Sequence, residues 1–109
     1  MGAYLSTPVR DKDTFDGHDP HLSLTWGGSA MQGWRRTMED AHIAQAQLGD
    51  KKAAIFGVFD GHGGAEVAKF CQNRMANVML ELDEFRKGAY RESLVQGKYA
   101  CYSSATIVD

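Results

Sequence analysis

The chain has 109 residues, enough for one modest domain, and its 43% hydrophobic and 24% charged residues are ordinary for a soluble folded protein. With 12 basic and 14 acidic residues the net charge is −2, which excludes the strongly basic surface of a typical nucleic-acid-binding protein. Two cysteines are too few for a disulfide scaffold and favour a reducing intracellular compartment, and the sequence has no apolar run of membrane-spanning length.

Residues 1–21 are polar and rich in turn-forming residues, which is typical of a flexible leader. The start of the leader fits the N-myristoylation pattern, in which Gly2 is exposed once the initiator methionine is removed, although so short a pattern also arises by chance. A single acyl chain binds membranes weakly, and acidic residues of the leader offset Arg10 and Lys12. We therefore expect a cytoplasmic protein with at most transient membrane contact.

After the leader, alternating side chains and one continuous apolar run predict four strands. In chain order they are residues 22–26, 31–34, 42–48 and 53–59. Residues 27–29 predict a turn between the first two strands, and residues 49–52 predict a hairpin loop between the last two. A loop of this length pairs Leu48 with Ala53.

This hairpin register determines which acidic residues meet at the other end of the two strands. It places Asp60 opposite Ala41 and diagonal to Glu39 on the same face of the sheet. Arg35 has the same parity as Glu39, so an extended chain would bring it to that face too. A slip of one residue would instead place Asp40 beside Asp60.

The hydrophobic period changes from two to 3.6 after Gly64, which predicts an amphipathic helix. Its apolar stripe consists of Val67, Cys71, Met75, Val78 and Leu82. Cys71 on this buried stripe is expected to be chemically inert. A dinucleotide-binding turn is excluded because Glu66 occupies the place of its third glycine, and a P-loop is excluded because no Gly-Lys-Ser/Thr follows.

The polar residues near the two strand ends suggest a catalytic metal site. Asp60 ends an apolar strand, His62 follows among three glycines, and Glu39 and Asp40 form a second acidic cluster. Facing carboxylates repel and require a cation, and oxygen ligands suit Mg²⁺ or Mn²⁺. Arg35 suits a phosphate group, so the set indicates metal-assisted phosphoryl hydrolysis. The alternative is a helix-capping aspartate beside a solvated salt-bridge patch.

Two motifs then resemble a known family. Residues 31–42, Met-Gln-Gly-Trp-Arg-Arg-Thr-Met-Glu-Asp-Ala-His, and residues 58–64, Val-Phe-Asp-Gly-His-Gly-Gly, are similar to the opening of the type 2C metal-dependent serine/threonine protein phosphatases, in the same order and at the same spacing. The resemblance implies an α+β fold: the N-terminal part of a layered α-β-β-α sandwich, with antiparallel strands and a flanking helix. It also implies phosphoserine and phosphothreonine proteins as substrates.

The resemblance also implies roles for single residues. Asp60 matches the aspartate that bridges two Mg²⁺ or Mn²⁺ ions, and Glu39 and the carbonyl group of Gly61 match ligands of the second ion. Arg35 matches the arginine that binds the phosphate, and His62 matches the proposed general acid for the leaving alcohol.

Three features leave the resemblance incomplete. Asp40 matches an acidic residue near metal-bound water, but its strand parity places it on the other face. The family completes its metal site with aspartates from a second half that residues 22–109 do not contain, so this segment is expected to be an incomplete domain. Residues 99–109 have only a loose similarity to a later family strand. The alternative function is a catalytically inactive fragment that acts as a binding or regulatory module.

Overall fold

The computed structural model describes residues 4–49, 53–61 and 64–108, with residues 102–108 described by their helical backbone alone. The chain divides into two compact units, Met1–Met38 and Glu39–Asp109. The first unit contains two strands, and the second contains two more strands and three helices. Both strand pairs are antiparallel, which confirms the predicted α+β class.

The first unit is a two-stranded ribbon. Strand β1, Tyr4–Asp19, pairs with strand β2, Leu24–Arg35. The turn between them is held by the carboxylate of Asp19, which accepts a hydrogen bond of 2.9 Å from the backbone N–H of His21. Ser23 completes the turn in the left-handed region, with φ of 54°.

Two expectations for this unit are wrong. The segment predicted as a flexible leader is strand over Tyr4–Asp19, and no turn interrupts β2 at residues 27–29. The reason is pairing across the ribbon: Phe15 lies opposite Gly28, and Trp26 lies opposite Gly17. A Cβ atom on either glycine would overlap the aromatic ring across from it. The glycines therefore admit a ring on the neighbouring strand rather than bend the chain.

The second unit begins with the predicted hairpin, in a different register. Strand β3, Ala41–Gln45, pairs with strand β4, Ile55–Phe59. Ala41 lies opposite Phe59, one residue away from the predicted partner Asp60.

A bulge near the loop produces this shift. The predicted contact between Leu48 and Ala53 is present, as a hydrogen bond of 2.7 Å from the N–H of Leu48 to the carbonyl oxygen of Ala53. Between this contact and the regular pairs, Ala46 and Gln47 oppose Ala54 alone. Gln47 accommodates the extra residue at φ of 54°.

Three helices follow the hairpin. Helix α1 spans Glu66–Glu81, α2 spans Asp83–Arg86, and α3 spans Tyr90–Val108. The predicted helix after Gly64 is therefore present. Of the segment with a loose similarity to a family strand, residues 99–108 belong to α3, and residue 109 lies outside the described residues. Within the described residues, no helix has the length and apolar character needed to cross a bilayer.

The buried stripe of α1 is close to the predicted one. It consists of Ala68, Cys71, Val78 and Met79. Val67, the first predicted member, is 42% exposed, and Ala68 takes its place on the buried face. Met79 packs with the hairpin residues Leu48 and Ile55 and with Phe85 of α2. This cluster attaches the hairpin to the helices.

Helix α3 packs closely on α1 through small residues. Ser93, Gly97 and Cys101 are buried at intervals of four residues, one turn apart on the same face of α3. A Cβ atom on Gly97 would lie 2.8 Å from the sulfur of Met79 on α1. The absence of a side chain at Gly97 therefore sets how near the two helices approach.

Candidate active site

The open end of the β3–β4 hairpin brings two acidic segments together. Asp60 follows the last residue of β4, and Asp40 precedes the first residue of β3. Because Ala41 lies opposite Phe59, continuing the register by one position places Asp60 opposite Asp40. Both aspartates are exposed.

The next position of the same register is a close backbone contact. It places Gly61 opposite Glu39, and a Cβ atom on Gly61 would overlap the carbonyl oxygen of Glu39. The same Cβ atom would lie 3.0 Å from the carbonyl oxygen of Gly64. Gly61 therefore occupies a position between two backbone segments that no larger residue fits.

The carboxylate of Glu39 contacts the backbone at Gly64, shortly before α1. Its Oε2 accepts a hydrogen bond of 3.4 Å from the backbone N–H of Gly64. Gly64 has φ of 129°, a conformation that favours glycine, and the Glu66 carboxylate lies against it. Glu39 thus ties the segment before β3 to the start of α1.

This geometry corrects the predicted pairing of carboxylates. The sequence register put Glu39 on the same face as Asp60 and Asp40 on the other face. The bulge at Gln47 shifts the register by one, so Asp40 becomes the neighbour of Asp60. Glu39 contacts the loop through Gly64 instead.

Arg35 belongs to the first unit, as the last residue of β2. It is exposed and lies opposite Tyr4, and its carbonyl oxygen accepts a hydrogen bond of 2.8 Å from the side chain of Gln32. The chain bends at residues 36 and 37, so the parity argument that grouped Arg35 with Glu39 does not hold. Its proximity to the carboxylates remains a prediction.

Two further predicted residues, His62 and Gly2, lie outside the described part of the chain. The roles assigned to them, general acid and site of lipid attachment, remain predictions.

The donor atoms at the hairpin end fit a hard cation. Asp40 and Asp60 offer carboxylate oxygens on facing positions, the ligand type that Mg²⁺ and Mn²⁺ prefer. Over residues 4–49, 53–61 and 64–108, no group of three or more His, Cys, Asp and Glu residues is arranged to hold a metal. The described residues thus provide two carboxylates on facing positions, those of Asp40 and Asp60, as possible metal ligands, and Glu39 and Gly61 lie beside them.

Sequence reasoning missed the contribution of Gly64. Its amide donates to Glu39, and its positive φ turns the loop into α1. The two consecutive glycines at positions 63 and 64 were the sequence signal for an unusual backbone conformation. The sequence pattern does not show which carboxylate would accept a hydrogen bond from the amide of Gly64.

The comparison with known proteins now identifies the family. The family model for protein phosphatase 2C matches residues 24–106. The chain belongs to the protein phosphatase 2C family. The match begins at the first residue of β2, and it includes every candidate site residue except Gly2. The resemblance inferred from the two motifs is confirmed.

Several protein phosphatase 2C relatives are similar over most of this chain. Protein phosphatase 2C 1 of Paramecium tetraurelia is 45% identical over 94 residues, which cover 86% of this chain and 30% of that protein. Protein phosphatase 2C homolog 2 of Saccharomyces cerevisiae is 43% identical over 100 residues, 87% of this chain and 21% of that protein. Protein phosphatase 1G of Rattus norvegicus is 44% identical over 95 residues, 86% of this chain and 17% of that protein. The chain therefore spans less than a third of these relatives' length.

Proposed function

We propose that residues 24–106 supply part of the active site of a metal-dependent phosphatase that hydrolyses phosphoserine and phosphothreonine in proteins. The observation that carries the proposal is the pairing of Ala41 with Phe59 at the open end of the β3–β4 hairpin, from which the continued register sets Asp40 opposite Asp60. Two facing carboxylates repel unless a cation lies between them, so the arrangement favours a metal over an ordinary polar surface. Membership in the protein phosphatase 2C family supports the reaction type.

Asp60, Glu39 and the carbonyl oxygen of Gly61 would hold Mg²⁺ or Mn²⁺, and Asp40 would accept a hydrogen bond from the attacking water. When bound, the metal supplies a water of lowered pKa and neutralises charge on the phosphate. The contact of Gly61 with the Glu39 backbone keeps these donors at fixed spacing, and the Gly64 amide orients the Glu39 carboxylate.

The remaining steps belong to Arg35 and His62. The planar guanidinium of Arg35 would bind two phosphate oxygens, which orients the phosphorus toward the water. As the new P–O bond forms, the bond to the serine or threonine oxygen breaks, and His62 would donate a proton to that leaving oxygen. The products are inorganic phosphate and the free hydroxyl side chain.

A chimera tests this proposal. Residues 24–106 would replace the matching segment of Paramecium protein phosphatase 2C 1, which is 45% identical in this region. We expect the chimera to hydrolyse a phosphothreonine peptide in Mg²⁺ or Mn²⁺. Asp60→Asn should lower turnover at least about a hundredfold, because even groups that only orient metal ligands affect a site by about 10–100-fold.

The control is Glu81→Gln, which removes an exposed carboxylate at the far end of α1. This variant should retain turnover and Mn²⁺ binding, the latter measured by electron paramagnetic resonance. Near-normal turnover of a folded Asp60→Asn chimera, or equal losses in both variants, would refute the assignment of Asp60.

A second candidate function is a non-catalytic module that binds a partner. It is favoured by the large apolar side chains on the surface of the second unit, among them Val58, 78% exposed on β4, and Leu94, 56% exposed on α3. The chimera separates the two candidates, because a module without catalytic residues would not restore turnover. We expect purified residues 1–109 alone to hydrolyse the peptide at the background rate, and metal-dependent turnover by them would exclude a non-catalytic module.

A further inference from the structure

The second unit contains two cysteines that meet across a helix interface. Cys71 on α1 is 2% exposed and Cys101 on α3 is 1% exposed, and both are free thiols. They pack in one cluster with Val78, and their side chains are joined by a hydrogen bond. The residues are 30 positions apart in the sequence, so the fold alone brings them together.

The approach of the two helices explains this contact. Gly97 lies one turn before Cys101 on the face of α3 that packs on α1. Because Gly97 has no side chain, the side chains of Met75 and Met79 on α1 can fill the space next to it. One turn further along α3, Cys101 packs in the same buried cluster as Cys71 of α1, which brings the two thiols near each other.

Both cysteines also border a cavity that is large enough for small molecules. Cys71 and Cys101 line the same cavity of about 360 Å³, between β4 and helices α1 and α3. A molecule in liquid water occupies about 30 Å³, so the cavity can admit an oxidant the size of hydrogen peroxide. Lys98 is among the residues that line it, so the cavity wall is not wholly apolar.

The two sulfurs are not equivalent. Burial raises the pKa of Cys101 to about 12, and the hydrogen bond to Cys71 and the nearby Cys71 charge act in the same direction, against a lowering by Arg74. Cys101 therefore keeps its proton at neutral pH, which makes it a weak nucleophile and leaves the first attack on an oxidant to Cys71.

We propose that Cys71 and Cys101 form a reversible disulfide that links α1 to α3 when hydrogen peroxide reaches the cavity. The Cys71 sulfur attacks a peroxide oxygen, which gives a sulfenic acid and one water. The Cys101 sulfur then attacks Cys71, and its proton leaves with the departing hydroxide as a second water. Overall, two thiols and one peroxide give one disulfide and two waters, and a dithiol reductant reverses the change.

The sequence predicted that Cys71 is chemically inert, because it lies on the buried face of the helix. Cys71 is indeed buried. The proposed reaction depends on the second thiol, Cys101, which lies beside it. It does not depend on the proposed phosphatase function, because neither cysteine belongs to the candidate active site.

Thiol counting on the intact chain tests the inference. Purified protein would be treated with hydrogen peroxide, then unfolded in guanidinium chloride, alkylated with N-ethylmaleimide, and weighed by mass spectrometry. We expect both alkylation sites to disappear together and to return after dithiothreitol, with the chain monomeric on a non-reducing gel. A peptide that joins the two cysteines should appear in a non-reducing digest.

Two comparisons make the test specific. With dimedone present to trap sulfenic acid, native chain should give about tenfold more disulfide relative to the dimedone adduct than chain unfolded in guanidinium chloride, since the fold holds the second thiol beside the first. In Cys71→Ser the remaining Cys101 thiol should still be alkylated after unfolding, under conditions of oxidation that consume both thiols of the unaltered chain. Equal ratios of disulfide to adduct in native and unfolded chain, a disulfide between chains, or independent loss of the two thiols would each overturn the proposal. The comparison of the two ratios uses unaltered protein, so it decides the question even if the variant does not fold.

Discussion

Gly61 packs so closely against the carbonyl oxygen of Glu39 that a Cβ atom would overlap it. We predict that Gly61→Ala displaces one of the two backbone segments at the candidate metal site. The overlap is with backbone atoms, which cannot rotate away, so we expect a loss of roughly 1–3 kcal/mol in the free energy of unfolding. Urea denaturation would measure the loss of stability, and Mn²⁺ binding by the same protein would measure the effect of the displacement on the metal site.

Gly57→Ala in strand β4 is the matched control. There a Cβ atom would lie 3.4 Å from the nearest side-chain carbon of Ile43, an ordinary contact. This variant should be neutral or slightly stabilising, because glycine is unfavourable inside a strand. If both variants change stability equally, the close packing of Gly61 is not what determines the effect.

The hairpin register gives a second prediction. Ala44 lies opposite Phe56, so Ala44→Cys with Phe56→Cys should form a disulfide under mild oxidation, in a background where Cys71 and Cys101 are serine. Ala44→Cys with Gly57→Cys, the pair required by the register inferred from sequence, should not, because neighbouring side chains point to opposite faces. A non-reducing peptide map distinguishes the two outcomes, and preferential linkage of the second pair would contradict the register.

Local sequence patterns predicted the main elements at the start of the second unit but not the register of its strands. The alternation around β3 and β4 and the change of period after Gly64 predicted the hairpin and α1, because both depend on side chains that are close in sequence. The register could not be predicted, because it depends on a bulge in which Gln47, not a glycine, takes a positive φ. One such residue was enough to exchange Glu39 for Asp40 as the neighbour of Asp60.

Strand β1 was missed for a different reason. Most of its residues are polar, and it contains four aspartates, one glycine and one proline, all of which disfavour strands. Its pairing depends on β2, where Trp26 covers Gly17 and Gly28 receives Phe15. Residues on β2 therefore determine that this segment forms a strand. The sequence pattern of the segment itself gives no information about those residues.

The candidate site residues show the same difference between local and long-range information. The carboxylates at positions 39, 40 and 60 were proposed as candidates from sequence, because strand ends and glycine-rich turns are visible in it. Their hydrogen bonds were not, and the amide of Gly64 is the clearest case.

The thiol of Cys101 gives a prediction for pH. Its pKa rises from the 9.0 of an unperturbed thiol to about 12 in the folded chain, chiefly through burial. The folded state therefore holds a proton that the unfolded state releases, so stability should be unaffected below pH 9 and should fall between pH 9 and about 12. Denaturation curves of the unaltered chain and of Cys101→Ala, compared across this range, isolate the effect from other groups. Parallel pH dependence of the two proteins would contradict it.

The N-terminal pattern gives a prediction for membrane contact. If Gly2 is myristoylated, the mass of the native N-terminal peptide should include a myristoyl group, and Gly2→Ala should remove it. A single acyl chain binds a bilayer only marginally, so we expect the modified protein to fractionate mainly with the cytosol. An acetylated or unmodified Gly2 would exclude the lipid, and tight membrane retention that resists salt would show that a further anchor exists.

The packing of α3 on α1 gives the last prediction. A side chain at Gly97 would enter space occupied by Met79, whose own side chain is 3% exposed within the core. Gly97→Leu should therefore lower the free energy of unfolding by roughly 1–3 kcal/mol, even though leucine favours helix over glycine, because the overpacked helices must separate. Gln96→Leu places the same side chain on the neighbouring exposed position of α3 and should change stability by about 0.5 kcal/mol or less. Urea denaturation of both variants separates packing from helix propensity, and a Gly97→Leu protein as stable as Gln96→Leu would show that α3 does not approach α1 through Gly97.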